Sequence, residues 1–201
     1  MTTEIDSATL SPGFKNPVLD SQSVFRAVLN AVSFPGRIHT LQPSPEPPAP
    51  LYPATVAFCL ALADISTPVW LDALSNRNGV RDFLRFHCGC PLTEKPEDAC
   101  FAVVADAAAA PHLAAFALGQ DMFPDRSATV VFQVRSFAAG RPVIATGPGI
   151  QDSQRLTIDG LPSWFWQDWA ANHACFPLGV DLLFACGQDV IALPRSIRVE
   201  A

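Results

Sequence analysis

The chain has 201 residues, of which 49% are hydrophobic and 16% are charged, and its formal net charge at pH 7 is -6. This acidic balance gives no electrostatic basis for holding a phosphate backbone, so we expect neither nucleic acid nor an anionic membrane as a partner. The charged fraction is low against about 25% in typical soluble proteins, which predicts that part of the surface is buried against another protein chain.

The N-terminal segment is predicted to be a flexible tail. Residues 1–16 are polar, contain Pro12 and Gly13, and show no hydrophobic periodicity. One α/β domain is predicted over residues 17–201. Because the first residues carry neither a basic nor an apolar signal region, and because the longest apolar run is about half a membrane span, we expect a cytoplasmic protein.

The first predicted element of the domain is a helix followed by a proline-rich loop. Apolar residues recur at helical spacing from Val24 to Val32, after Asp20 and Ser21, either of which is a suitable N-cap. The turn at residues 35–36 ends this helix. Six prolines within residues 43–53 then predict an extended surface connector.

Helical and extended patterns alternate over the rest of the chain. Helices are predicted over residues 54–63, 79–86, 111–118 and 164–171, the third of them between Pro111 and Gly119. Strands are predicted over residues 69–71, 100–105, 128–134, 143–145, 180–185 and 190–193. This alternation predicts a three-layer α/β architecture in which a mixed sheet carries helices on both faces.

The scarcity of lysine excludes two classes of enzyme. The chain has two lysines, Lys15 in the predicted tail and Lys95 beside a proline. Neither follows a glycine-rich loop as a P-loop NTPase requires, and neither suits the packed Schiff base of a pyridoxal-phosphate enzyme. We therefore expect no cofactor.

The run His87-Cys88-Gly89-Cys90 places three soft metal ligands within four residues. No second pair of cysteines with zinc-site spacing accompanies it. The favoured interpretation is a helix end, with Gly89 in the left-handed conformation and His87 near the last carbonyls. We predict no metal site, and reduced thiols at all six cysteines.

A glycine-rich turn at residues 146–150 follows a predicted strand, and such turns can direct backbone amides toward an anion. Pro148 removes one of these donors, so a plain tight turn and an anion cradle both remain open. Arginines at element ends are suited to bidentate anion recognition and equally to surface ion pairs. The candidate anion-binding residues are Arg37, His87, Gly147, Gly149 and Arg195.

The four tryptophans are candidate interface anchors, with packing in the core as the alternative. They are Trp70, Trp164, Trp166 and Trp169, of which three belong to one predicted helix. The chain has no Gly-x-Ser-x-Gly elbow and no His-Glu-x-x-His helix, and we assign no catalytic residue.

Short strings spread over most of the chain carry a resemblance when their order and spacing are taken together. They include residues 25–27 (Phe-Arg-Ala), 34–38 (Phe-Pro-Gly-Arg-Ile), 67–72 (Thr-Pro-Val-Trp-Leu-Asp), 127–131 (Ser-Ala-Thr-Val-Val), 147–150 (Gly-Pro-Gly-Ile), 176–181 (Phe-Pro-Leu-Gly-Val-Asp) and 193–195 (Leu-Pro-Arg). The set resembles the H subunit of the bacterial carbon-phosphorus lyase core complex, which acts in phosphonate catabolism.

The resemblance implies a cytoplasmic subunit that assembles with the G, I and J subunits, with J the most direct contact, and that is a homodimer when isolated. The implied activity of the assembly is the displacement of adenine from ATP by a phosphonate, which gives a ribose 1-phosphonate 5-triphosphate. The implied fold is similar to the large domain of pyridoxal-phosphate-dependent transferases without the cofactor. The family supplies no catalytic motif for this subunit, so its implied role is structural.

An alternative hypothesis comes from the residues themselves. The chain is then an independent enzyme or binder of a nucleotide or phosphonate, with His87 as acid or base. In that hypothesis the turn of Gly147 and Gly149, together with Arg195, holds the phosphate or phosphonate group.

Overall fold

A seven-stranded mixed sheet lies at the centre of the fold in the computed structural model, which describes residues 11–201. In chain order the helices and strands are α1 (Pro17–Ser33), β1 (His39–Thr40), α2 (Pro53–Leu62), β2 (Val69–Leu71), α3 (Asn78–His87), β3 (Leu92–Thr93), β4 (Phe101–Val104), β5 (Leu118–Gln120), β6 (Phe123–Ser127), β7 (Thr129–Gln133), β8 (Pro142–Thr146), β9 (Gln154–Thr157), α4 (Phe165–Ala174), β10 (Asp181–Cys186), β11 (Asp189–Leu193) and β12 (Arg198–Glu200).

The large sheet has the strand order β1-β11-β10-β7-β4-β2-β3. Strands β10, β7, β4, β2 and β3 are mutually parallel, whereas β11 pairs antiparallel with both β10 and β1. The central strands are continuous apolar runs, as expected for parallel strands that are covered on both faces. The hairpin of β10 and β11 contains the strands predicted over residues 180–185 and 190–193.

Alternate residues of each central strand enter two separate cores, because successive side chains of a strand point to opposite faces. Val131 packs with helices α1, α2 and α3, whereas its neighbours Val130 and Phe132 pack with α4 and a second sheet of order β12-β8-β9. The α/β architecture with a mixed sheet and helices on both faces is thus confirmed. The small sheet that shares the second face with α4 was not predicted.

Most predicted elements are present within a few residues of their predicted bounds, and two predictions are wrong. Helix α1 begins at Pro17 and is capped by Asn16, whose side chain accepts from the Leu19 N–H at 3.3 Å, so neither Asp20 nor Ser21 is the cap. Residues 113–115 form only a single 3-10 turn in the region predicted as a helix over residues 111–118.

Strand pairing explains the second error. Gly119 lies inside β5 with φ +86°, and the backbone of residues 117–120 pairs with β6 and with the Ala128 N–H. The segment from Pro111 to Gly119 therefore forms a 3-10 turn followed by strand β5 instead of a helix. Within residues 11–201, no helix is both long and apolar enough to cross a membrane.

The predicted N-terminal tail is described only in part, because residues 1–10 lie outside the described residues. The Ser11 carbonyl lies 3.1 Å from Nε2 of His87, and Phe14 packs against the core beneath α1–α3. These contacts anchor residues 11–14 on the outer side of α3.

A buried glutamine ties the proline-rich segment to the sheet. Gln133, at the end of β7, accepts hydrogen bonds through Oε1 from the Tyr52 N–H and, at 3.0 Å, from the Thr55 hydroxyl. Its Nε2 donates to the Pro50 carbonyl at 3.1 Å. The Gln133 and Thr55 side chains are both buried, so their polar atoms rely on these hydrogen bonds rather than on solvent.

We expect Gln133→Leu to lower the free energy of unfolding by about 2 to 3 kcal/mol, because it leaves the Thr55 hydroxyl and two backbone groups unpaired. The measurement is urea denaturation.

The double variant Gln133→Leu/Thr55→Val removes the unpaired Thr55 hydroxyl and should recover part of the lost free energy of unfolding. Gln167→Leu, at an exposed position of α4, is the control and should change stability by less than about 0.5 kcal/mol. Equal losses in the two glutamine variants would contradict this account.

Candidate functional site

The carboxyl ends of the parallel strands are the expected position of a ligand-binding site in this fold. In open α/β sheets, ligands bind outside these ends, at the point where successive connections leave in opposite directions. Strand β2 connects through α3 to β3 on one side, whereas β4 connects to β7 on the other. The reversal therefore falls between β2 and β4.

Asp72 fills this position. It follows β2, it is 4% exposed, and its Oδ2 accepts from the backbone N–H groups of Ala105 and Asp106, both at 2.8 Å. Its Oδ1 accepts from the N–H and the hydroxyl of Ser75, at 2.8 and 2.6 Å. The chain's own carboxylate thus occupies the backbone donors that an anionic ligand would use at this edge.

Two cavities share Asp106 as a lining residue, and one of them is also lined by Asp72. One, of about 350 Å³, is lined by Trp70, Asp72 and Asp106 among others. The second, of about 330 Å³, is lined by Asp106, Gln133 and Arg135 among others. The Arg135 guanidinium is held by both oxygens of Asp159, at 3.0 Å each, so the cation nearest to this edge is already neutralised.

The glycine-rich turn at residues 146–150 is a tight structural turn. The Ile150 N–H donates to the Gly147 carbonyl at 3.1 Å. Gly149 has φ +83°, and a Cβ there would lie 2.3 Å from the Ser33 carbonyl oxygen at the end of α1. Glycine is required at this position because the turn and the helix end are in backbone contact.

Arg195 is engaged in holding three segments together. Its Nη2 and Nε bond the carboxylate of Asp181 at 2.5 and 3.2 Å, and its Nη1 donates to the carbonyls of Pro124 and Pro177 at 2.8 and 3.4 Å. The side chain is 14% exposed. Arg37 is exposed instead, and its guanidinium carbon lies 5.2 Å from the centre of the Phe34 ring.

His87 lies apart from the turn. It ends α3, where its ring is 4.5 Å from the Phe83 ring, on the sheet face covered by α1–α3. A Cβ at Gly147 would lie 3.0 Å from the side chain of Ile197, which belongs to the core of the opposite face. The five predicted anion-binding residues therefore do not line one pocket, and their binding of anions stays a prediction.

The helix-end interpretation of residues 87–90 is confirmed. Gly89 has φ +66°, and its N–H donates to the Arg85 carbonyl at 3.2 Å. Burial, reinforced by nearby Cys90, raises the pKa of the Cys59 thiol to about 12, so this thiol stays protonated. Over residues 11–201 no group of three or more His, Cys, Asp or Glu side chains is arranged to hold a metal ion.

The tryptophans divide into one core residue and three half-buried ones. Trp169 is fully buried and its Nε1 donates to the Ile197 carbonyl at 3.0 Å, which agrees with the alternative of packing in the core. Trp70 is half-buried and packs edge-on against Phe116, with ring centres 5.6 Å apart. Trp164 and Trp166 are half-buried near the start of α4 and remain interface candidates.

A His–Asp pair that was not among the predicted site residues lies beside α4. Nδ1 of His112 lies 2.9 Å from Oδ2 of Asp168, and the His112 ring lies against Trp164 at a tilt of 41°, with ring centres 4.5 Å apart. The two partners are 56 positions apart and match no local motif, so no signal in the sequence joins them. They line a cavity of about 280 Å³.

Helix α1 leaves an apolar stripe uncovered. The stripe consists of Val18, Phe25, Leu29 and Val32, which share one side of the helix at spacings of seven, four and three residues and are all exposed. The buried side of α1 is formed by Val24, Val28 and Ala31. Apolar surface on both sides of one helix is typical of a helix that contacts another protein chain.

Comparison with known proteins identifies the family. The sequence profile of the bacterial phosphonate metabolism protein (PhnH) family matches residues 12–200. The chain is 39% identical over 194 residues to the alpha-D-ribose 1-methylphosphonate 5-triphosphate synthase subunit PhnH of Rhizobium meliloti (strain 1021), which covers 96% of this chain and 97% of the relative. It is 35% identical over 183 residues to a Stutzerimonas stutzeri protein named "Putative C-P lyase subunit protein HtxG", covering 89% and 85% of the two chains.

A profile that spans nearly all of the described residues, together with a relative matched over almost the full length of both chains, agrees with the resemblance carried by the short strings of the sequence. The chain belongs to the bacterial phosphonate metabolism protein (PhnH) family.

Proposed function

We propose that this chain is a structural and interface subunit of a carbon-phosphorus lyase complex, and that it supports formation of a ribose 1-phosphonate 5-triphosphate from ATP and a phosphonate. The observation that carries the proposal is the 39% identity, over 96% of this chain and 97% of the relative, to a subunit of alpha-D-ribose 1-methylphosphonate 5-triphosphate synthase. The second relative, whose name includes a C-P lyase subunit, supports the same pathway.

The partners in this proposal are the G, I and J subunits of the complex, with J in direct contact and with a homodimer as the form of the isolated chain. The complex operates in the cytoplasm. The three-layer fold is proposed to be similar to the large domain of pyridoxal-phosphate-dependent transferases without the cofactor. The exposed positions of Lys15 and Lys95 support the loss of cofactor chemistry, because a Schiff base needs a lysine inside a pocket.

The carboxyl edge of the sheet supports a structural role. Asp72 bonds the backbone donors at the reversal of strand order, and Arg135 and Arg195 are paired with Asp159 and Asp181. An ATP or phosphonate site needs free donors and uncompensated positive charge. The chemistry of the complex is therefore assigned to partner subunits.

The exposed apolar stripe of α1 is proposed as the surface that a partner subunit of the complex covers. Its four side chains are exposed on one side of a helix that also buries Val24, Val28 and Ala31 in the core. The half-buried Trp70, Trp164 and Trp166 are retained as further interface candidates. The apolar stripe agrees with the low charged fraction of the chain, 16%.

Co-expression of the tagged chain with the G, I and J subunits, followed by native mass measurement, tests the assembly. We expect a stoichiometric heteromer. The double variant Phe25→Ser/Leu29→Ser should reduce its recovery at least tenfold, because each large apolar side chain contributes about 1.5 to 3 kcal/mol on burial. Leu19→Ser is the matched control, since Leu19 is exposed on α1 outside the stripe.

Thermal unfolding of each α1 variant alone shows whether it folds. If the folded double variant assembles as well as the control, the stripe is not the interface. If the unaltered chain is recovered only as a homodimer and binds ATP or methylphosphonate by itself, the alternative of an independent binder at His87 and the Gly147 turn replaces the subunit proposal.

The role of Asp72 gives a second test. Asp72→Ala should lower the free energy of unfolding by about 3 kcal/mol or more, because four hydrogen bonds to a buried carboxylate are lost. Asp72→Asn, which keeps the shape and one acceptor, should lose less. Complexes assembled with Asp72→Asn should retain full activity per mole of complex. Lost activity with unchanged stability would instead identify Asp72 as a ligand-binding residue.

A further inference from the structure

The His112–Asp168 pair is held in one orientation by the surrounding chain. Oδ2 of Asp168 lies 2.9 Å from Nδ1 of His112 and accepts from the Leu113 N–H at 3.0 Å. Because a carboxylate only accepts hydrogen bonds, Nδ1 is the ring nitrogen that carries a proton here, and in this tautomer Nε2 is an acceptor. The Trp164 ring, 4.5 Å away between ring centres, supports the imidazole from the side.

The pair opens on a small cavity with mostly apolar walls. Its volume is about 280 Å³, near the lower end of the roughly 300–1,000 Å³ typical of small-molecule sites, so a ligand with a single ring fills it. The lining residues are His112, Leu113, Ala114, Leu118, Asp168, Ala171, Asn172 and Cys175.

The side chains of Asn172 and Cys175, which also line the cavity, already make hydrogen bonds within the chain. The amide of Asn172 both donates to the Val180 carbonyl at 3.0 Å and accepts from the Val180 N–H at 2.8 Å. The Cys175 thiol donates to the Ala171 carbonyl at 3.4 Å. Nε2 of His112 and Oδ1 of Asp168 make no hydrogen bond to the part of the chain that the structure describes, so they are the side-chain acceptors left for a ligand.

The charge of the cavity selects against anions. Asp168 contributes a negative charge, and neither lysine nor arginine is among the lining residues. The lining therefore disfavours carboxylates, phosphates and phosphonates, whereas an uncharged molecule that carries an O–H or N–H group can donate to Nε2 of His112.

We propose that this cavity is a binding site for a small uncharged molecule with an apolar ring, whose O–H or N–H group donates a hydrogen bond to Nε2 of His112. The site is separate from the proposed role in phosphonate chemistry, because it disfavours the anionic groups of those substrates. Asp168 and Trp164 are positioning residues that fix the tautomer and the orientation of the imidazole.

Phenol, benzene and benzoate are the probes, because they share a ring and differ in the polar group. Binding is measured by protection of Cys175 from iodoacetamide, read by peptide mass spectrometry. Cys100 is also exposed and lies outside the cavity, so its alkylation is the internal control. We expect phenol to protect Cys175 at about threefold to tenfold lower concentration than benzene, the value of one hydrogen bond, and benzoate to protect least.

Three variants complete the experiment. His112→Phe keeps a ring beside Trp164 and should abolish the advantage of phenol over benzene. Ala171→Leu fills the cavity and should abolish protection by both, whereas Ala170→Leu, at the next exposed position of α4, should leave binding unchanged.

Protection of Cys175 by benzoate as strong as by phenol would overturn the proposal, as would equal binding of phenol and benzene to the unaltered chain. Absence of protection by any probe would overturn it too. None of these outcomes bears on assembly with the partner subunits, so failure of this site is distinguishable from failure of the proposed function.

Discussion

The double burial of β4, β7 and β10 is the constraint on which the rest of the fold depends. Each of these strands sends alternate apolar side chains into two cores, so both faces of the sheet must be covered. Helices α1–α3 cover one face. The single helix α4 is too narrow to cover the other face of the sheet. The small sheet of β8, β9 and β12 therefore covers that face together with α4. The layers on the two faces of the sheet are therefore required by the apolar composition of β4, β7 and β10.

The same parallel strands explain why Asp72 is bonded to the backbone at the carboxyl edge of the sheet. Their ends leave backbone N–H groups at residues 105 and 106 without sheet partners, and a buried donor must be paired. Many α/β proteins pair such groups with a ligand, whereas this chain pairs them with Asp72. A site that is satisfied internally needs no ligand to fold, which suits a subunit that contributes surface to an assembly.

The sequence predicts those elements whose pattern is local and apolar. Strand β7 and helix α3 were predicted because their residues carry the full signal for a buried strand and an amphipathic helix. Strands β1, β3 and β6 are short or polar, and they exist only because a neighbouring strand supplies hydrogen bonds. The His112–Asp168 pair belongs to this second class, since it depends on where α4 packs.

Arg195 shows why residue type alone does not identify a binding site. An arginine at an element end is equally suited to an anionic ligand and to an internal carboxylate, and only the tertiary contacts decide between them. Here the guanidinium joins β10 to the segments at Pro124 and Pro177, so its removal would leave the Asp181 carboxylate without its cation and loosen three segments together. A loss of function on replacing Arg195 would therefore report on folding as much as on ligand binding. The exposed Arg37 has no such internal ion pair among the described residues, which makes it the cleaner position at which to examine anion recognition by this chain.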